Sequence, residues 1–162
     1  MPWRAPSRAR RACGSTGAGS RRALFGDLLA AELAEHEAFA VVCAGDVRLG
    51  GVAGIVRAVE VARPFDGSVL HTFELARGAA ATSGIGRRSW LDGGGRPAHH
   101  RLDPASGRPA FTGIVQATAL APSAVQAEVP AKTALLAGPA RGPAILCHGG
   151  LVVLDGGAVV LI

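Results

Sequence analysis

The sequence predicts an α+β fold, in which a mixed or antiparallel sheet has flanking helices. Short apolar segments bounded by Gly, Pro or Asp, the pattern of strands, lie between two longer segments with helical features. That order of elements is typical of an α+β domain. The 162 residues are enough for one such domain.

The first helix is predicted over residues 21–38. Ser20 is a suitable N-cap, and apolar side chains then recur every four residues. Residues 39–43 follow as a buried apolar strand, and the Ala-Gly-Asp sequence at 44–46 ends that strand in a turn.

Three further strands are predicted, at residues 55–61, 69–75 and 114–120. In the third of these, polar and apolar side chains alternate. Because successive side chains of a strand point to opposite faces, one face of this strand is predicted to be more polar than the other.

The C-terminal part of the chain predicts a second helix and a hairpin. Ser123 can cap a helix that runs to residue 137, although Pro130 removes one of its hydrogen bonds. A short helix at 143–147 and a hairpin of residues 151–154 and 158–162 then end the chain.

Charge divides the chain into two parts. Six arginines precede residue 23 without a single acid, whereas residues 23–162 carry eleven basic and twelve acidic residues, a net charge of −1. We therefore expect a disordered Arg-rich segment with a Gly-rich loop at 1–22 and the folded domain at 23–162. Such an arm can contact RNA, but stacking aromatic residues are scarce, so we expect a solvated tail and no nucleic-acid partner.

Composition and cysteine spacing also bear on the core and on the cellular compartment of the protein. Aromatic residues make up only 4% of the chain and Tyr is absent, which predicts a thin core of Ala, Val and Leu. The three cysteines lack the spacing of a zinc site or a disulfide framework. The sequence has neither a membrane-spanning apolar run nor a secretory signal, so we expect a cytoplasmic protein.

The segment at residues 99–107 combines two imidazoles, a carboxylate and turn-forming residues. Pro104 disfavours helix at the residue before it, and Gly107 can adopt a positive φ. We therefore expect His100 and Asp103 to be presented from a short ordered turn, with His99 facing solvent.

Residues 100–107 read His-x-x-Asp-Pro-x-Ser-Gly, which closely resembles the signature of the FAD:protein FMN transferase (ApbE) family. Other stretches resemble that family's segments in the same order. They are a strand with a GGD-like turn at 41–46, a TSG element at 81–84, an ALAP-S/T-A lead at 119–124 and a helix segment at 127–132. This resemblance implies the C-terminal part of the ApbE-like fold.

The resemblance implies transfer of FMN from FAD onto a Ser or Thr hydroxyl of an acceptor protein, through a phosphoester bond. It places the catalytic groups at His100, as the base, and at Asp103. The flavin-binding positions that it implies are Gly45, Asp46, Thr82, Ser83 and Gly84.

The resemblance also implies a Mg²⁺ site, but the metal positions of this chain differ from the family's. Residues 14–19 resemble the family's Gly-rich segment, and Gly17 is the implied backbone ligand. The family's Asp and Thr, four residues apart, are Glu128 and Lys132 here. An ammonium group cannot bind a cation, so we expect an ion pair on the helix surface, or a Lys132 that replaces the metal's charge.

Members of the family carry a long segment before the Gly-rich motif, which this sequence does not contain. We therefore expect a chain truncated at its N-terminus, whose missing half was lost, is encoded separately or was excluded by a wrongly assigned start. Two functions stay open, an active transferase and a non-catalytic remnant that binds flavin weakly or binds a partner protein. The implied partners are the acceptor protein and either a separate N-terminal half or a second copy of the chain.

Overall fold

The structure is a computed structural model that describes residues 17–162. Its helices are α1 (Gly17–Glu32) and α2 (Ala124–Ala137), with 3₁₀ turns at Gly86–Arg88 and Pro143–Ile145. The strands of this part of the chain are β1 (Phe39–Cys43), β2 (Asp46–Gly50), β3 (Arg57–Ala62), β4 (Val69–Leu75), β5 (Gly78–Gly84), β6 (Ser89–Leu91), β7 (Pro97–His99), β8 (Ile114–Ala121), β9 (Gly150–Leu154) and β10 (Val159–Leu161). Neither helix is long and apolar enough to cross a membrane.

The main sheet has six strands in the order β1-β2-β5-β8-β9-β10. Each neighbouring pair in it is antiparallel. Two hairpins, β3–β4 and β6–β7, form separate two-stranded sheets. The predicted α+β class is thereby confirmed, and the main sheet is antiparallel rather than mixed.

Alanine methyl groups form the contact between the main sheet and the two helices. Ala79 and Ala81 of β5 pack with Ala23 of α1 and Ala127 of α2. Because each residue contributes a single methyl group, the helices approach the sheet closely and the layer between them is shallow. Among the described residues, more than half of the buried apolar ones are alanine, which confirms the predicted thin core.

The β3–β4 hairpin covers the opposite face of the sheet. Its Val59 packs with Leu49 and Ala80, and the Gln116 amide nitrogen of β8 donates to the Ala62 carbonyl at 3.0 Å. Strand β8 is consequently covered on both faces, and even Gln116, on the face predicted to be more polar, is only 6% exposed.

One carboxylate joins both helices and the sheet. Asp27 of α1 accepts hydrogen bonds from the first two amides of α2, at Ala124 (2.8 Å) and Val125 (3.0 Å). It also accepts from Arg48 Nε of β2 at 3.2 Å. The N-terminal amides of a helix lack helical partners and attract negative charge, so Asp27 stabilises α2 at this end.

The first helix differs from its prediction at both ends. It begins at Gly17, so Ser20 lies within it rather than capping it, and residues 17–19 are helical rather than a loop. The expected boundary at residue 22 therefore falls inside α1, and the rest of the expected Arg-rich segment, residues 1–16, lies outside the described residues. The helix ends at Glu32 instead of residue 38, because the following backbone pairs with the chain beyond β2, where Val52 N donates to the His36 carbonyl.

Most of the other predicted elements are present. The β1, β3, β4, β8 and β9–β10 strands lie within a few residues of their predicted positions, and Ser123 accepts a hydrogen bond from the Gln126 amide as the cap of α2. The short helix near 143 is a single 3₁₀ turn. Strands β2, β5, β6 and β7 were not predicted.

Candidate active site

A cleft of about 530 Å³ opens beside the C-terminal end of β5. Its walls come from the β1–β2 turn, the end of β3, the 3₁₀ turn after β5 and the segment that follows β7. Four of the residues predicted for the site line this cleft, and these are Gly45, Thr82, Gly84 and His100.

The β1–β2 turn brings backbone to the edge of the cleft. Cys43 pairs with Asp46, so the loop consists only of Ala44 (φ 54°) and Gly45 (φ 100°). Two consecutive positive φ angles are the geometry of a type I′ hairpin turn, which matches the twist of the flanking strands. Beyond it, the Asp46 carboxylate accepts a hydrogen bond from the Thr82 amide at 3.2 Å and joins this turn to β5.

His100 lines the cleft directly after β7. Its Nδ1 is buried and has no hydrogen-bond partner within residues 17–162. Burial and the positive charge of Arg101 lower the pKa of His100 from its ordinary value of 6.5. This shift favours the neutral imidazole, which is the form that can accept a proton.

His99 is buried, and the prediction that it faces solvent was wrong. It is 1% exposed, its ring meets that of Phe111 edge-on at 4.6 Å, and its Nδ1 accepts a hydrogen bond from the Arg101 amide at 3.2 Å. The β6–β7 hairpin turns this side chain inward, so the residue holds the backbone next to His100 and does not reach the cleft lining.

Asp103 closes the turn that follows. One carboxylate oxygen accepts from the Ala105 amide at 3.0 Å, and the other accepts from the Ser106 amide and hydroxyl at 3.2 and 2.7 Å. These hydrogen bonds, that of the Ser106 hydroxyl first, lower the pKa of Asp103. Gly107 has a φ of 68°, as the turn requires. In the described part of the chain no hydrogen bond joins Asp103 to His100, and Asp103 is not part of the cleft wall.

The two adjacent residues Thr82 and Ser83 point to opposite faces of β5. The Thr82 hydroxyl lies 2.9 Å from the Thr118 hydroxyl on the cleft side. Ser83 is 1% exposed, and its hydroxyl accepts a hydrogen bond from Arg101 at 3.4 Å. Ser83 thus contacts a cleft residue and does not line the cleft itself.

Glu128 and Lys132 form the expected ion pair, with Lys132 Nζ 2.6 Å from Glu128 Oε1. The pair is not on the helix surface, because Glu128 is 4% exposed and its Oε2 is buried without a hydrogen-bond partner in the described residues. Burial raises the pKa of the nearby Asp46, and the negative charge of Glu128 raises it further. Burial lowers the pKa of Arg101, and the negative charges of Glu128 and Asp46 oppose this shift.

These residues do not fit a divalent cation. The ammonium of Lys132 has no lone pair to donate and repels a cation beside Glu128. Positive charge already lies beside both carboxylates, because Lys132 pairs with Glu128 and both Lys132 and Arg22 act on Asp46. Across residues 17–162, no three His, Cys, Asp or Glu side chains converge as metal ligands would. Gly17, the implied backbone ligand, is the first residue of α1.

Sequence reasoning missed the positive charge of the cleft. Five arginines line it, with Glu60 as the one acidic residue among the described lining residues. The available signals were the Arg-Arg pair at 87–88, shortly after the 81–84 segment, and the arginine within the histidine motif. The lining arginines are Arg22, Arg63, Arg87, Arg88 and Arg101.

The fold and the cleft define an antiparallel α+β protein with a site suited to an anionic, phosphate-bearing ligand. The model of the ApbE family matches residues 19–154, and the chain belongs to this family. No curated protein sequence is similar enough to be a match.

Solved structures of the same family have this fold. The ApbE protein of Thermotoga maritima is 30% identical, with a TM-score of 0.68 over 76% of this chain and 42% of that one. The flavin transferase ApbE of Vibrio cholerae is 24% identical, with a TM-score of 0.64 over 86% and 48%. The flavinyl transferase ApbE of Pseudomonas stutzeri, in its apo form, is 24% identical, with a TM-score of 0.60 over 91% and 47%. The chain spans less than half the length of each of these relatives.

Proposed function

We propose that this chain acts in FAD:protein FMN transfer, moving FMN from FAD to a Ser or Thr hydroxyl of an acceptor protein. Membership of the ApbE family supports this function, and two of the similar structures are named as flavin transferases. The observation that carries the proposal is the neutral imidazole of His100 in a cleft lined by arginines.

The cleft can hold the donor through its pyrophosphate. Guanidinium groups bind phosphate oxygens in a bidentate manner, and the arginines of the cleft surround the space next to His100. The cleft volume lies within the usual range for small-molecule sites. Gly45 and Gly84, which lack side chains, let the ligand approach the backbone closely.

The reaction forms one P–O bond and breaks another. The acceptor hydroxyl oxygen attacks the phosphorus that carries the flavin side of FAD, and the bond from this phosphorus to the bridging oxygen breaks. FMN becomes esterified to the acceptor, and AMP leaves with the bridging oxygen. His100 takes the hydroxyl proton, a role that contributes roughly 10²- to 10⁴-fold to a rate, and the arginines stabilise the charge on the phosphates.

Asp103 is assigned a positioning role in this proposal. Its hydrogen bonds to Ala105 and Ser106 shape the turn after His100, and they use both carboxylate oxygens. Asp46 acts in the same way on the flavin-binding segment, because it holds the Thr82 amide beside the cleft.

We further propose that the chain acts with a partner chain, either a separate half or a second copy. The outer face of α1 supports this proposal, since Leu24, Phe25 and Leu28 are each more than half exposed. Apolar side chains clustered on one face of a helix are typical of protein contact surfaces.

The proposed function is tested by incubating the purified chain with FAD and an acceptor protein that carries a Ser or Thr target. Flavin fluorescence of the acceptor band in a denaturing gel reports transfer. We expect His100→Ala to reduce labelling by roughly 10²-fold or more. His148→Ala is the matched control, because His148 is exposed, lies outside the cleft and should leave labelling unchanged.

Two results would contradict the proposal. One is the absence of both labelling and FAD binding, and the other is full labelling by His100→Ala. FAD binding without labelling, even with the acceptor in excess, would instead support the non-catalytic alternative.

A further inference from the structure

Charged side chains from several elements lie close together beside the cleft. Lys132 Nζ lies 2.6 Å from Glu128 Oε1, and these two side chains are only 16% and 6% exposed. The charge of Glu128 acts on Asp46, and both carboxylates attract Arg101. Arg22 also acts on Asp46 and Arg101, so the two carboxylates lie among several positive charges.

Arg101 connects this cluster with the cleft. Its side chain is part of the cleft wall, and one of its nitrogens donates to the Ser83 hydroxyl at 3.4 Å. Its Nε is buried and has no hydrogen-bond partner within the described range. A buried guanidinium N–H without an acceptor is costly. Because a guanidinium group can pair with phosphate in a bidentate manner, a phosphate bound in the cleft is a suitable partner for Arg101.

Lys132 prevents the carboxylates from acting as metal ligands. It occupies one oxygen of Glu128 at close range, and its charge repels any cation that approaches the other oxygen. Because both groups are largely buried, solvent screens this repulsion only weakly. The positive charge beside Glu128 thus comes from Lys132, a side chain of the protein, and not from a bound metal ion.

We infer that fixed cations of this chain take the place of a divalent metal ion, with Arg101 contacting the FAD pyrophosphate and Lys132 neutralising Glu128 behind it. Flavin binding then requires no metal. The inference rests on the proposed function for the identity of its ligand, whereas the exclusion of a metal by Lys132 can be tested without flavin.

The first test measures binding of Mn²⁺ alone, by electron paramagnetic resonance of the free ion. We expect the unmodified chain to bind no Mn²⁺ at this site and Lys132→Thr to gain a site. The substitution releases Glu128 and puts a hydroxyl oxygen one helical turn away. Thr133→Ala is the matched control, because the Thr133 hydroxyl donates to the Val129 carbonyl and is exposed, so its loss should change nothing.

The second test measures FAD affinity with EDTA and with Mg²⁺. We expect the unmodified chain to bind FAD equally in both, and Lys132→Thr to bind at least about tenfold more tightly with Mg²⁺ than with EDTA. Circular dichroism checks that the variant is folded. Should it be unfolded, Lys132→Met replaces it, since this variant also frees Glu128 and should bind more Mn²⁺ than the unmodified chain.

The inference is overturned if the unmodified chain binds Mn²⁺ as tightly as Lys132→Thr does, or if EDTA weakens its FAD binding at least about tenfold. Failure of the proposed function looks different. In that case FAD binds under neither condition, while the Mn²⁺ titration still decides whether Lys132 excludes a metal.

Discussion

His99 and His100 are neighbours in the sequence, but their side chains lie in different surroundings. His99 is buried against Phe111, whereas His100 borders the cleft. Both pKa values are lowered, in each case chiefly by burial. The local sequence allowed either imidazole to face the cleft, and the inward turn at the end of β7 determines which one does.

The lowered pKa of His100 predicts the pH dependence of transfer. The neutral imidazole is the form that accepts a proton, and it persists above the pKa of the group. The acidic limb of the transfer rate should therefore have its midpoint below pH 6.5. The measurement is the initial rate of acceptor labelling across neutral and acidic pH.

A charge substitution checks the cause of that pH dependence. The positive charge of Arg88 lowers the pKa of His100, so Arg88→Ala should move the acidic limb of the profile to higher pH. Arg141→Ala, an exposed arginine outside the cleft, should leave the limb in place. An unmodified profile whose acidic limb has its midpoint above pH 6.5 would contradict the prediction.

Strand β5 forms against the preference of most of its residues, and helix α2 forms despite one residue that disfavours helix. Strand β5 has the sequence Gly-Ala-Ala-Ala-Thr-Ser-Gly, in which the glycines and alanines are poor strand formers. The strand is stabilised by hydrogen bonds to its neighbours β2 and β8, and by the packing of its alanine methyl groups beneath both helices. Helix α2 likewise contains Pro130, which costs about 3 kcal/mol in an ideal helix. Tertiary packing of its buried alanine face compensates for this cost.

The contact between the helices can be tested through Asp27. Removal of its carboxylate leaves two N-terminal amides of α2 without their partner, and Arg48 loses its ion pair. Asp27→Ala should lower the free energy of unfolding by about 1–2 kcal/mol, as loss of a helix cap does. Urea denaturation measures this change.

Asp66→Ala is the control for Asp27. Asp66 also accepts hydrogen bonds from its own turn, at the Ser68 amide and hydroxyl, but it is exposed and joins no other element. Asp66→Ala should lower the free energy of unfolding by clearly less than Asp27→Ala does. Equal denaturation midpoints for the two variants would show that Asp27 does not stabilise the helix contact.

On the scale of the whole molecule, charge is distributed unevenly. Four of the five arginines of the cleft, all but Arg22, lie within residues 23–162, which carry a net charge of −1. Positive charge is therefore concentrated at the site while the rest of the domain is acidic or neutral. A concave site lined by charges of one sign attracts ligands that carry charge of the opposite sign.

This distribution predicts that FAD binding weakens as salt increases. Ions screen the exposed part of the attraction, since the screening length shortens from about 10 Å at 0.1 M salt to about 3 Å at 1 M. Arg63→Ala should weaken binding and reduce its salt dependence, while Arg141→Ala should change neither. Flavin fluorescence titration at several salt concentrations provides the test, and affinity independent of salt would contradict it.

The sequence by itself determined the fold class, the positions of most apolar strands, the capped second helix and the turn that presents His100. These features follow from local rules, namely side-chain periodicity, capping and turn residues. The ordered motifs also identified the family, which the match over residues 19–154 confirms. The Glu128–Lys132 pair followed from its spacing on a helix.

The tertiary structure alone decided which groups meet. Arg22, Arg63 and Arg101 are far apart in the chain, and the sheet order brings them to one cleft. The same packing buries His99 and the Glu128–Lys132 pair, both of which the sequence placed at the surface. Periodicity reports which face of an element is apolar, but burial depends on what packs against that face, and that depends on residues distant in the sequence.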